Sequence, residues 1–92
     1  MNQRELIARI ATETGTGEGP VKDVLDAVLV EIAQVLEDGE QVVLPGFGTF
    51  EVRDRAARMG RNPQTGAEID IAASKAPAFK PAAALKRRVN TG

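Results

Sequence analysis

Apolar residues recur at helical spacing at the start of the chain. The first segment runs from about Gln3 to Thr14. Its apolar positions follow the three-to-four-residue period of an amphipathic helix, and they are Leu6, Ile7, Ile10 and Ala11. Asn2 and Glu5 stand three residues apart at its beginning, which favours a capping box around the first turn.

A second and longer apolar stripe predicts a helix from about Pro20 to Asp38. Proline suits the first turn of a helix, and Gly39 suits its C-terminal cap. The stripe consists of Val21, Val24, Leu25, Val28, Leu29, Ile32, Val35 and Leu36. At about 100° per residue it covers nearly half of the helix circumference, which is more than one short neighbour needs. We therefore expect this helix to pack against a sheet or a second subunit as well.

After the second helix the apolar residues take the shorter period of strands. A short strand is predicted at 41–44 and a tight turn at 45–48. A second strand, at 49–53, is rich in β-branched and aromatic residues. A last strand near 77–80 leads to a short helix, which we expect to begin at Pro81 because proline suits that position.

A long polar stretch with a turn in its middle separates these strands. Turn-forming residues cluster at 61–66, and extended segments at 53–60 and 67–74 flank them. They predict a β-ribbon with two polar faces, which buries too little to be stable by itself. We expect an arm that is mobile or ordered by a ligand. The residues outside the arm are few for one core, so a dimer that shares its core is expected.

Composition restricts the chemistry of the chain. It has neither Cys nor His, which excludes disulfides, thiolate metal sites and the usual general base. No apolar run approaches the roughly 20 residues that span a bilayer, and the N-terminus lacks the profile of a signal peptide. We therefore expect a soluble cytoplasmic protein that is not an enzyme and needs no metal, cofactor or small-molecule substrate.

Charge is divided unevenly along the chain, although the net charge is only −1. Residues 1–51 carry three bases and ten acids, a net −7, whereas residues 52–92 carry nine bases and three acids, a net +6. The basic half is therefore a candidate surface for a polyanion.

Four arginines within nine residues lead into the turn of the predicted arm: Arg53, Arg55, Arg58 and Arg61. Two of them, Arg53 and Arg55, lie on one face of a strand, with Asp54 on the other. Such arginines suit phosphates and the floor of a minor groove. Pro63 at the tip is a rigid apolar wedge, but Asn-Pro is mainly a turn former, so the spacing alone favours a turn.

The chain resembles the bacterial HU/IHF family of DNA-bending proteins, and HU most closely. The resemblance rests on Gly46-Phe47-Gly48-Thr49-Phe50, on the arginines, and on Gly60-Arg61-Asn62-Pro63-Gln64-Thr65-Gly66. The segment 71–80 and the pair Leu85-Lys86 fit as well.

This resemblance implies an α+β fold in an intertwined homodimer. A pair of N-terminal helices would lie beneath a three-stranded antiparallel sheet, with an extended β-ribbon arm and a short C-terminal helix. The chain would form one domain, 1–92, with a helical dimerisation part at 1–40, the sheet at 41–52 and 76–80, the arm at 53–75 and the last helix at 81–90.

The resemblance also implies roles for individual residues. Pro63 would intercalate between bases. The residues that contact DNA would be Arg53, Arg55, Arg58, Gly60, Arg61, Asn62, Gln64, Lys75, Lys80 and Lys86. The dimer core would contain Leu29, Ile32, Leu36, Leu44, Phe47, Phe50 and Phe79. Lysine is frequent in HU proteins at positions 3, 18 and 83, where this chain has Gln3, Glu18 and Ala83.

The implied function is that of a nucleoid-associated architectural protein. It would bind and bend double-stranded DNA largely without sequence specificity, as a homodimer or as a heterodimer with a related chain. One alternative is an IHF-like or specialised paralogue with site preference. Another is a dimer that works through protein contacts on its acidic helical face.

Overall fold

The computed structural model describes residues 1–91, which form three helices and five strands. In chain order these are α1 (Gln3–Thr14), α2 (Glu18–Glu37), β1 (Val42–Leu44), β2 (Gly48–Arg55), β3 (Arg58–Arg61), β4 (Glu68–Ile71), β5 (Ser74–Pro81) and α3 (Ala83–Asn90). The predicted α+β class is confirmed. The described chain divides into two compact units, one ending at Gln34 and the other beginning at Val35. No helix within residues 1–91 is long and apolar enough to cross a membrane.

Each of the two long helices has one end that its sequence predicts, whereas α2 begins at Glu18, before the predicted start at about Pro20. The side-chain oxygen of Asn2 accepts a hydrogen bond from the backbone N–H of Glu5 at 2.8 Å, which caps α1. Gly39, at φ 80°, ends α2. Its N–H donates to Leu36, and the N–H of Glu40 donates to Val35, the two hydrogen bonds of a Schellman motif.

The helical unit buries few side chains. Ile7, Ala11 and Val21 are its buried residues, and Ile10 and Leu25 pack against them. Much of the stripe of α2 is exposed in the single chain, with Val24 at 65% and Leu29 at 51% exposure. The single chain therefore buries only part of the apolar stripe of α2.

The sheet has the strand order β1-β2-β5, and all its pairs are antiparallel. Phe50 of β2 lies opposite Phe79 of β5, with ring centroids 4.9 Å apart. Phe47, in the turn before β2, contacts the same ring, with the centroids 5.5 Å apart. Gly48 leaves room for this ring, because a Cβ there would lie 2.5 Å from Phe79.

The sheet and the arm share one hydrogen-bonded ladder. Pairing of β2 with β5 continues to Arg55 opposite Ser74, so no break separates the predicted sheet and arm at residue 53. The last strand is accordingly longer than the predicted 77–80. The ladder stops at Ala56 and Ala57, and β3 and β4 then form a separate two-stranded distal ribbon.

The prediction that the arm is polar on both faces is wrong. Ile69 and Ile71 of β4 lie on one face of the distal ribbon, two residues apart. The side chain of Ile71 covers Gly60 on the neighbouring strand, where a Cβ would lie 2.5 Å from its Cδ1. This small apolar contact gives the ribbon packing of its own.

The predicted start of the last helix at Pro81 is also wrong. Pro81 is the final residue of β5 and pairs with Gly48, and α3 begins at Ala83. The N–H of Ala82 donates to the carbonyl oxygen of Phe47 at 2.9 Å, which keeps the backbone extended there. Proline is tolerated at the end of an edge strand because its missing N–H has no partner to lose.

Replacement of Gly48 by alanine should destabilise the sheet. The added Cβ would lie 2.5 Å from the ring of Phe79 and 2.7 Å from the carbonyl oxygen of Lys80. The carbonyl belongs to the paired strand, so relief of the clash disturbs the ladder. We expect the free energy of unfolding, measured with urea at a fixed protein concentration, to fall by about 1–3 kcal/mol.

Gly19→Ala is the matched control for this substitution. Gly19 lies in the first turn of α2, and a Cβ there meets no atom within 4 Å. Alanine is the stronger helix former, so stability should stay unchanged or rise by up to about 1 kcal/mol. Equal unfolding midpoints for the two variants would contradict the steric role of Gly48.

Candidate nucleic-acid interface

The pairing of β2 with β5 separates apolar from basic side chains. Directly opposed residues of an antiparallel pair point to the same face, and the faces alternate along each strand. One face carries Phe50 and Phe79. We call the other the basic face, and within these two strands it consists of Thr49, Glu51, Arg53, Arg55, Ser74, Ala76, Ala78 and Lys80.

Three of the predicted DNA contacts therefore share one surface. Arg53, Arg55 and Lys80 all lie on the basic face and are exposed. Between them stand only small or short polar side chains, apart from one acid. Flexible cations on a flat sheet can follow a polyanion backbone without a shaped pocket.

Lys75 does not join this group. In the strand register it lies opposite Asp54, and both residues stand on the opposite face from Arg53 and Arg55. The distal ribbon divides its arginines in the same way. Arg58 lies opposite Ile71, whereas Arg61 lies opposite Glu68 on the other face. The arm thus presents cations on two faces.

Sequence reasoning did not single out Glu51. This acid lies on the basic face, and its Oε1 accepts a hydrogen bond from Arg53 Nε at 3.0 Å. The side chain of Glu51 is 27% exposed and that of Arg53 60%. The sequence could have indicated this contact, because residues two apart on one strand share a face.

The tip of the arm is a turn held by its own polar groups. The backbone N–H of Gly66 donates to the carbonyl oxygen of Asn62 at 2.7 Å, and the N–H of Asn62 donates to Ala67 at 2.9 Å. Asn62 Oδ1 accepts from the N–H of Gln64 at 2.9 Å. Pro63 and Gln64 are left exposed at the tip. Asn62 therefore builds the turn, and Pro63 is its projecting apolar residue.

Cations outside the sheet fall in two places. In α3, Lys86, Arg87 and Arg88 are consecutive and exposed. In the helical unit, Lys22 Nζ contacts Asp26 Oδ2 at 2.6 Å, and Gln3 donates to the same carboxylate at 3.1 Å. The hydrogen bond from Lys22 lowers the pKa of Asp26, and the same bond raises the pKa of Lys22. Lys22 is thus engaged within the unit.

The residues assigned to a shared dimer core are not buried in the single chain. Leu29, Leu44, Phe47 and Phe79 are exposed, with Phe47 at 48% and Phe79 at 39%. Ile32, Leu36 and Phe50 are half-buried. Within residues 1–91 there is no group of three or more Asp or Glu side chains placed to hold a metal ion.

Comparison with known proteins defines the class of protein. The sequence model of the family described as "Bacterial DNA-binding protein" matches residues 1–90. The chain is 57% identical over 89 residues to the SPbeta prophage-derived DNA-binding protein HU 2 of Bacillus subtilis, which covers 97% of each chain. It is 53% identical over 89 residues to the DNA-binding protein HU of Geobacillus stearothermophilus, covering 97% of this chain and 99% of that one.

Solved structures of HU share the fold. The protein in an Anabaena HU–DNA cocrystal structure matches with a TM-score of 0.93 at 36% identity, over the full length of both chains. HU from Thermotoga maritima matches with a TM-score of 0.70 at 34% identity, over 98% of this chain and all of that one.

The chain belongs to the family of bacterial DNA-binding proteins. This membership confirms the predicted resemblance to HU and the prediction that the chain is not an enzyme. It does not favour a dimer that acts mainly through protein contacts on an acidic helical face.

Proposed function

We propose that this chain is an HU-like architectural protein that binds and bends double-stranded DNA as a homodimer. The observation that carries the proposal is the basic face, where Arg53, Arg55 and Lys80 lead along one ladder to an arm with Pro63 at its tip. The names of the HU relatives and the HU–DNA cocrystal support it. Such a protein would be nucleoid-associated, in the cytoplasm.

The side chains of the surface suit binding with little sequence preference. Arginine and lysine on an open sheet meet phosphates, which position a protein but carry no sequence information. In the minor groove, which the arm would enter, A·T and T·A pairs present the same acceptors, so little sequence can be read there. Asn62 Oδ1 accepts from the N–H of Gln64, so this oxygen is engaged within the tip. The remaining contacts favour deformable DNA over a particular sequence.

Pro63 has the properties of a wedge. It is apolar, exposed and held in a turn that is closed by hydrogen bonds between Asn62, Gln64 and Gly66. Apolar wedges in the minor groove unstack a base step and kink the duplex, a mechanism already attributed to architectural proteins of the HU type. The rigid tip would resist being pushed back when it meets the stacked bases.

The homodimer accounts for the exposed apolar side chains of both compact units. The buried residues within residues 1–91 are limited to Ile7, Ala11, Val21 and Gly48, and the last of these has no side chain. A chain of this size rarely remains folded with so small a core. The stripe of α2 and the phenylalanines of the sheet would be covered by the partner.

Unfolding should depend on protein concentration. For a dimer without a stable monomer, each tenfold rise in concentration stabilises the folded state by about 1.4 kcal/mol. Urea unfolding at several concentrations, with sedimentation for the mass, measures this. A constant midpoint with a monomer mass would contradict it.

Leu29→Ala and Val30→Ala provide a matched pair within this measurement. Both residues are exposed in the single chain, at 51% and 61%. Leu29 belongs to the stripe, whereas Val30 lies on the opposite side of α2. Leu29→Ala should destabilise the dimer by about 2–5 kcal/mol, and Val30→Ala should change little.

Gel shifts over a series of salt concentrations test DNA binding itself. Each phosphate contact releases counterions, so the affinity for a duplex should fall steeply, with a log–log slope of about −0.9 per contact. Duplexes of unrelated sequence but equal length and similar deformability should compete equally. Strong preference for one duplex would indicate an IHF-like protein, and absence of binding at low salt would reject the proposed function.

Pro63→Ala should reduce DNA bending more than DNA binding. The phosphate contacts remain in this variant, whereas the wedge is lost. Energy transfer between dyes at the two ends of a duplex measures the bend, and titration measures the affinity. Arg55→Ala is the control, with weaker binding and an unchanged bend at saturation. A parallel loss of bend and affinity in Pro63→Ala would show that the tip only closes the turn.

A further inference from the structure

Glu51 is the acid of the basic face, and it occupies the middle of that surface. Along β2 it lies between Thr49 and Arg53, and across the ladder it lies opposite Ala78. It also borders a polar hollow that contains a second acid, Glu40. A phosphate that approaches Arg53 along this face therefore meets a carboxylate within two residues of the guanidinium.

The contact between Glu51 and Arg53 uses part of the guanidinium. Oε1 of Glu51 accepts a hydrogen bond from Arg53 Nε–H at 3.0 Å, and the carboxylate offsets part of the positive charge of Arg53 in the free protein. Arginine has five N–H donors in a rigid fork, and it binds phosphate best with two parallel bonds. Glu51 thus occupies one edge of the fork that a phosphate would use.

We propose that Glu51 competes with DNA phosphate for Arg53 and thereby lowers the affinity of the protein for DNA. The inference rests on the proposed function, because it assigns a role to one residue of that surface. When DNA binds, Arg53 exchanges the carboxylate for a phosphate. The released carboxylate then takes up a cation, which offsets part of the counterion release that drives binding.

The strength of the effect follows from the exposure of the pair. Arg53 is largely exposed, and exposed ion pairs are weak. Glu51→Gln keeps the shape of the side chain and removes its charge. We expect it to tighten DNA binding by about two- to fivefold. We also expect the log–log salt slope to steepen by up to about 0.9 for each protomer, since no carboxylate remains to recover a cation.

Asp54→Asn is the matched control. It removes the same charge from the same strand, three residues away, but on the opposite face. Asp54 makes no ion pair within residues 1–91. This variant should gain less affinity than Glu51→Gln, and its salt slope should stay close to that of the unchanged protein. Unfolding midpoints of both variants verify that the fold is retained.

A double-mutant cycle with Arg53→Gln tests whether Glu51 acts through Arg53. In the Arg53→Gln background, Glu51→Gln should lose most of its gain in affinity and its change in slope. Retention of the full gain there would overturn the inference, because Glu51 would then act on DNA directly. Equal gains from Glu51→Gln and Asp54→Asn would overturn it too, as would weaker binding by Glu51→Gln. If the unchanged protein fails to bind any duplex, the proposed function fails instead.

Discussion

The antiparallel register of β2 with β5 determines which side chains are available to a ligand. Eight consecutive pairs, from Gly48 with Pro81 to Arg55 with Ser74, fix the alternation of the two faces. A slip of one residue in either strand would bring its aromatic and basic positions to the wrong sides. The contact of Phe79 with Phe47 and Phe50 resists such a slip. The apolar face thus holds in place the arginines that lie on the other face.

Glycine makes this register possible at two points. The ring of Phe79 lies over Gly48 in the sheet, and the side chain of Ile71 lies over Gly60 in the distal ribbon. In both places a larger residue on one strand covers a residue without a side chain on its neighbour. The family resemblance assigns Gly60 to DNA contact, but a glycine is also needed there to make room for the side chain of Ile71. Between these points Ala56 and Ala57 mark the end of the longer ladder.

Local patterns predicted the helices and strands well, because each depends on neighbouring residues. The bounds of α1 were predicted in full, and the Schellman motif at Gly39 follows from its sequence. Errors arose where a distant contact decided the structure. Ala82 bonds to Phe47, which extends the chain past Pro81. The contact of Ile71 with Gly60 became visible only when the strand register was known.

The same reasoning explains why the candidate site was only partly predictable. The four arginines and Pro63 are visible as a sequence cluster, but the faces they occupy depend on pairing. Register placed Lys75 beside Asp54, away from Arg53, and revealed Glu51 within the basic face. A count of charges along the sequence predicts that this half of the chain is basic, but it does not show which basic side chains contact an acid.

Neighbouring acids limit how much of the basic charge can attract DNA. Arg53 contacts Glu51, whereas Lys75 and Arg61 stand opposite Asp54 and Glu68 in the strand register without an ion pair in the described chain. With a net chain charge of −1, long-range attraction to a polyanion is weak, so binding depends on contacts made at short distance. In the proposed complex such contacts would form when the arm follows the groove and Pro63 enters a base step. DNA that already bends or unstacks easily lowers the energy of that arrangement. Deformability, more than charge density, should therefore decide which DNA this protein selects.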